Sequence, residues 1–165
     1  PKRTDKNYYA CDLLSDILSN GNSSRLFQRL VKEKQLLSEV NAYLSGDLDG
    51  GMFLVTGKLY PQVTFEEAEK AVMQELNNLA TKPVPEDELQ KVKNKAEAAL
   101  VFSEISVPGK AMALCYYEML GDAGLFNTEP ERYRAVQVDD IRQTAARLFD
   151  PVGKNVLYYK AKKKS

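Results

Sequence analysis

From Tyr8 to Leu18 the apolar residues Ala10, Leu13, Leu14, Ile17 and Leu18 recur at spacings of three and four, which predicts an amphipathic helix. Asn20-Gly21 ends it, because both residues tolerate the left-handed backbone of a helix terminus. Ser23 or Asn22 can cap a second helix, with Leu26, Phe27, Leu30 and Val31 facing inward. The period then changes to two. Val40, Ala42 and Leu44 alternate with Glu39, Asn41 and Tyr43, as in a half-buried strand. Ser45 to Gly51 is a turn rich in Gly and Asp, and Met52 to Tyr60 is a second strand, so an antiparallel hairpin is expected.

Thr64-Phe65-Glu66-Glu67 has the spacing of a capping box, and the helix behind it carries Phe65, Ala68, Val72, Leu76 and Leu79 on one face. Pro83 and Pro85 separate it from a longer helix, Glu86 to Ser103, with Leu89, Val92, Ala96, Ala99 and Leu100 inward. Pro108 opens another, with Ala111, Leu114, Cys115 and Met119 inward and Gly121 as its stop. Two short helices follow, Pro130 to Val136 and Asp139 to Phe149, and the chain closes on a strand, Asn155 to Ala161. Neighbouring antiparallel strands with helices gathered elsewhere predict an α+β fold: an antiparallel sheet with helices packed on one face. The 165 residues suit a single domain, residues 1–165. Three strands are few for so many helices, and Pro1 has no Met before it, so the chain is expected to be a segment of a longer one.

Lys plus Arg equals Asp plus Glu, so no net field draws the chain to nucleic acid or an anionic membrane. The one charge run, Lys160 to Lys164, reads as a solvated terminus. No apolar run reaches the ~18 residues of a membrane span. Cys11 and Cys115 both fall in apolar helical patterns and are expected as buried free thiols. The decisive count is zero histidines. Without His there is no Ser-His or Cys-His catalysis, and a zinc site would need four ligands from two distant cysteines and carboxylates.

Four stretches carry a family resemblance. The segment YYACDLLSDILSNGNSSRLFQRLVKEKQLLSEVNAYLSG, residues 8–46, resembles the pitrilysin or insulinase family of zinc peptidases, specifically its C-terminal-half domain. GGMFLVTGKL (50–59), PVPEDELQKVKNKAEAALVF (83–102) and VDDIRQTAARLFDP (138–151) are similar to later family signposts, in order. The resemblance implies a half-domain of the LuxS/mitochondrial-processing-peptidase-like metallohydrolase fold. It implies a clamshell of two halves, or two chains, closing on an unfolded peptide. Zinc and the general base would then lie only in an N-terminal half or partner chain, on a His-x-x-Glu-His motif that this chain lacks. In active relatives the metal-free half still contributes an Arg and a Tyr seven residues apart, which help to stabilise the transition state. Aligning Ser24-Arg25-Leu26-Phe27 with the family's motif puts Val31 and Ser38 at those two places. Val has no donor and Ser is short. Arg29 and Tyr43 lie nearby at the wrong offsets. The chain is therefore expected to hold neither catalytic residue nor metal, and to act as a non-catalytic, substrate-side wall. The alternative from another class is a family member that assembles or holds peptide without cleaving it; an unrelated α+β binding domain is the third.

Other motifs have plainer readings. Asn20 to Ser24 lacks the Lys-Ser or Lys-Thr of a phosphate-binding loop and reads as a turn between helices. Asp47 and Asp49 lack the remaining ligands of a calcium loop and read as a hairpin turn. Glu66-Glu67, Glu86-Asp87-Glu88 and Asp139-Asp140 sit in first helical turns, where they complement the helix dipole. If Ser38 to Leu44 is an edge strand, it can pair with an extended peptide.

Overall fold

The computed structural model describes residues 1–45, 48–103 and 105–160. Helix α1 spans Tyr8–Ser19 and is followed by a π-helix, Phe27–Glu33. Strands β1 (Leu37–Ser45) and β2 (Met52–Leu59) form an antiparallel hairpin in which Ala42 faces Val55 and Ser45 faces Met52. Then come α2 (Phe65–Thr81), α3 (Glu86–Ser103), α4 (Val107–Met119), α5 (Leu125–Ala135), α6 (Val138–Leu148) and a 3-10 turn, Pro151–Gly153.

The core forms where the apolar stripes meet. Leu13, Leu14, Ile17 and Leu18 of α1 are at most 1% exposed, and α1 packs on β1, α3, α5 and α6. Val40 and Ala42 supply the sheet's buried face, while Glu39, Asn41, Tyr43, Thr56 and Lys58 look outward. Helices thus cover one face of the sheet, as expected. Phe53 meets Phe149 edge-on at 5.4 Å, joining β2 to the end of α6. A Cβ at Gly57 would stand 3.1 Å from Leu37 Cδ1, so a side chain there would require Leu37 to give by a few tenths of an ångström.

The Ser-Ser-Arg-Leu segment is architectural. Gly21 adopts φ +98° after α1, and Ser24 Oγ donates to the Gly21 carbonyl at 2.7 Å, closing the turn. Arg25 grips Glu88 at the start of α3 through Nε and Nη2, at 3.0 and 2.6 Å, and Leu26 is fully buried. Neither Asn22 nor Ser23 caps the next helix: the Asn22 carbonyl accepts from Gln28 and Ser23 Oγ accepts from Lys91. That helix is also wound more widely than predicted, with the Lys34 amide bonding the Arg29 carbonyl five residues back. Gln35, at φ +49°, then turns the chain into β1.

Several expectations need correction. The complete capping box belongs to α6, between Gln137 and Asp140; at α2, Thr64 Oγ1 accepts the Glu67 amide at 3.2 Å and forms the Thr half. The α5 helix begins at Leu125, ahead of Pro130, because buried Phe126 anchors the turn before the proline. Ala99 is exposed on α3, where Lys93 is buried instead and donates to the Arg134 carbonyl at the end of α5. On α4, only Tyr117 is buried; Ala111, Leu114, Cys115 and Met119 are exposed, because α4 packs chiefly against α5 and its apolar stripe has no layer to enter. Cys11 is the buried thiol and Cys115 an exposed one. From Asn155 to Lys160 the chain is not a strand. Lys154 (2.5 Å) and the Tyr158 hydroxyl both bond Glu69, and the Tyr158 ring lies 4.8 Å from Phe65, so side chains hold the segment to α2. Ala161, the rest of the lysine run and Asp47 lie outside the described residues.

The N-terminal segment is tied down by a buried ion pair. Arg3 is 8% exposed and bonds Glu129, which is 1% exposed, and it also donates to the Tyr117 hydroxyl at 3.0 Å. Tyr9 donates to the other Glu129 oxygen at 3.0 Å, and the Arg3 guanidinium lies 4.3 Å from the centre of the Tyr8 ring. Burial opposes the charge on Arg3, but Glu129 outweighs it and raises its pKa. Glu129→Gln should destabilise the chain by about 3–5 kcal/mol in urea unfolding, since it strands a buried cation, whereas Arg3→Met with Glu129→Leu should cost much less.

Candidate functional site

Tyr8, Asp12, Ser15, Asp16 and Ser19 recur at spacings of three and four and form one polar stripe along α1. With the apolar stripe fixed in the core, Tyr8, Asp12, Asp16 and Ser19 stay partly exposed beside β1, while Ser15 is buried. Together with Asn20, Asn41, Ala42, Tyr43, Leu44 and Thr56 it lines an open groove of about 640 Å³.

One wall of the groove is a strand edge. The sheet has two strands among the described residues, so β1 has β2 on one side only. Ser19 Oγ accepts the Ala42 amide at 2.6 Å and donates to the Ala42 carbonyl at 3.0 Å. The Ala42 backbone therefore points away from β2, and strand alternation aims Val40 and Leu44 the same way. Val40 and Leu44 have no strand partner on that side among the described residues.

The other wall is acidic. Asp12 is half-buried and accepts the Tyr133 hydroxyl at 2.7 Å; Asp16 is half-buried and accepts the Asn20 amide at 2.6 Å. Burial raises both carboxyl pKa values, although these hydrogen bonds lower them, as do Arg3 at Asp12 and Lys95 at Asp16. Neither makes an ion pair among the described residues.

Asp12 and Asp16 have the one-turn spacing of paired helical metal ligands, but among the described residues no group of three His, Cys, Asp or Glu can hold a metal. The donor set does not suit zinc. Val31 and Ser38 lie apart from the groove. Val31 packs partly on the core and lines a smaller cleft with Lys32, Gln35, Tyr60 and Gln62. Ser38 is exposed on β1 and donates to the Lys58 carbonyl at 3.2 Å. The spacing of Tyr8, Asp12, Asp16 and Ser19 is the sequence signal of the polar stripe of α1.

A carboxyl whose folded pKa lies above the ordinary 3.8 contributes most to stability below that value and loses the contribution as pH rises through the folded pKa. Asp16→Asn should therefore raise Tm relative to the parent chain at neutral pH, and the difference should shrink as pH falls through the raised folded pKa and stay level below the ordinary 3.8; a Tm series across pH checks this.

The family described as the peptidase M16 inactive domain matches residues 1–96. An uncharacterized zinc protease of Streptomyces coelicolor is 28% identical over 149 residues, covering 87% of this chain and 31% of the relative. The zinc protease PqqE of Helicobacter pylori is 24% identical over 97% of this chain and 36% of its own length. The chain thus spans about a third of the length of these curated relatives. Among solved structures, a Helicobacter pylori protease superposes with TM-score 0.83 at 25% identity, covering 91% of this chain and 36% of that one. The inactive peptidase domain of a Bordetella parapertussis protein gives TM-score 0.83 at 25% identity, covering 92% and 82%. With a matched family over more than half its length and the same fold throughout, this chain belongs to the peptidase M16 family as its inactive, non-catalytic domain.

Proposed function

We infer that residues 1–165 form one substrate-side wall of a zinc-peptidase clamshell, whose zinc and general base come from an N-terminal half or partner chain. The observation that carries this reading is the β1 edge that β2 leaves unpaired among the described residues, beside the α1 groove. An edge strand lends its backbone amides and carbonyls to an extended peptide at little conformational cost, and a groove alongside takes the alternate side chains. The already satisfied Ala42 interrupts the edge, leaving Leu44 as the rung that lines the groove.

Val31 and Ser38 favour a second reading, in which the whole protein holds peptide without cutting it. In that reading Val31 and Ser38 occupy the places of the family's Arg and Tyr. An aliphatic side chain partly packed on the core and a hydroxyl spent on the Lys58 carbonyl supply no donor to a transition state.

Zinc content and peptide cleavage separate the readings. The 165-residue chain alone should bind no zinc stoichiometrically and cleave nothing; joined to a catalytic half it should support zinc-dependent cleavage. Binding without cleavage by the joined protein selects the peptide-holding reading, and zinc-dependent cleavage by this chain alone overturns both. Leu44→Pro removes an outward amide while sparing the bonds to β2. It should weaken peptide binding about tenfold by fluorescence anisotropy, with the far-UV spectrum unchanged.

A further inference from the structure

We propose that the outward apolar stripe of α4 is the surface on which the preceding half of the same protein docks. This rests on the clamshell reading above and adds which face of the domain meets the other half. Helix α4 has two opposed faces. Tyr117 enters the domain, where its hydroxyl accepts from Arg3 at 3.0 Å and its ring lies 5.7 Å from that of Phe126 on α5. Pro108, Met112, Cys115 and Met119 follow one another at spacings of four, three and four, which puts them on a single stripe turned away from Tyr117. All four are exposed, Met112 by 73% and Met119 by 67%. Phe102, Ile105 and Val107 are exposed at the corner that leads into the helix. Side chains of this size amount to an apolar patch on the order of several hundred Å², the extent that marks an interaction surface. A helix of 13 residues that buries Tyr117 alone also lacks the packing from which short helices draw most of their stability.

The anchoring of the N-terminal segment selects the occupant. Arg3 ties the start of the chain to α4 through Tyr117 and to α5 through the buried Glu129. The chain spans 31% and 36% of its curated relatives, so a preceding half of the parent protein has ample length to fold over α4. A segment joined ahead of Pro1 begins within reach of the stripe, since an extended chain advances about 3.3–3.6 Å per residue and a helix is about 10–12 Å across. Tethering at that range gives an effective concentration in the millimolar range, against which a second copy at micromolar concentration does not compete. A net charge of zero gives the chain no pull toward an anionic lipid surface. Two methionines in the stripe suit the role, because their flexible thioethers adapt to an apolar surface laid against them.

Cys115 reports on the stripe because it lies within it, whereas Cys11 is buried in the core. The test alkylates Cys115 with N-ethylmaleimide in the 165-residue chain and in the full-length parent protein, and follows the tryptic peptide Ala111–Arg132 by mass spectrometry. The thiol should react at least about tenfold more slowly in the full-length protein, at every protein concentration. Met112→Glu, made in both proteins, should abolish that difference. Leu157→Glu, the same kind of change at an exposed residue off the stripe, should leave it intact. Equal reactivity of Cys115 in the two unmodified proteins overturns the proposal, and zinc-dependent cleavage by the same full-length protein would leave the clamshell reading standing. Protection in a full-length protein that binds no zinc upholds the docking face and overturns the clamshell-peptidase reading instead. Protection that appears in the 165-residue chain as its concentration rises assigns the stripe to a second copy. Protection of that chain only by phosphatidylglycerol vesicles assigns it to a membrane surface. Either of these last two results overturns the proposal.

Discussion

Leu13, Leu14, Ile17 and Leu18 lose nearly all contact with water, and that burial sets the orientation of α1 against β1, α3, α5 and α6 together. Each fully buried aliphatic side chain is worth about 1.5–3 kcal/mol, so rotating the helix would forfeit most of the core. Once the apolar stripe is fixed, the polar stripe has no freedom left. Tyr8, Asp12, Asp16 and Ser19 must face outward beside β1, and the groove follows from the core. Its chemistry is what remains exposed after α1 has been packed.

The same packing explains why the Ser-Ser-Arg-Leu segment belongs to architecture. Leu26 is buried, Arg25 is held by Glu88 and Ser24 closes the turn, so the segment locks α1 to α3 and delivers the chain to β1 at a set height. Ser19, at the last turn of α1, reaches the Ala42 backbone only because that height is fixed. The strand edge and the acidic wall are thereby held as a unit. At the far end, Arg3 and Glu129 pin the N-terminal segment to α5, and Tyr133 connects that region to Asp12.

Two of the regions that departed from expectation share one cause. On α4 and in residues 155–160 the local pattern favours burial or pairing, but no second layer lies within reach among the described residues. Ala111, Leu114 and Met119 stay exposed at the correct helical spacing, and Val156 to Tyr159 have strand-like composition without a ladder. Periodicity reports what a segment would bury if a partner were present, and says nothing about whether one is.

The α+β plan, the two hairpin strands, the faces of β1 and the extent of α2, α3 and α6 were legible from period and punctuation, because hydrophobic spacing at 3.6 and 2.0 is a local property of the chain. The absence of histidine, likewise, rules out the usual zinc and triad chemistries before any fold is considered. Tertiary structure alone decided which side of β1 lies open, that Ser19 occupies its middle, that Asp12 and Asp16 share a groove with that edge, and that Val31 and Ser38 lie away from it. Those are relations between elements distant in sequence, produced by packing α1 against four partners at once, and no local pattern encodes them.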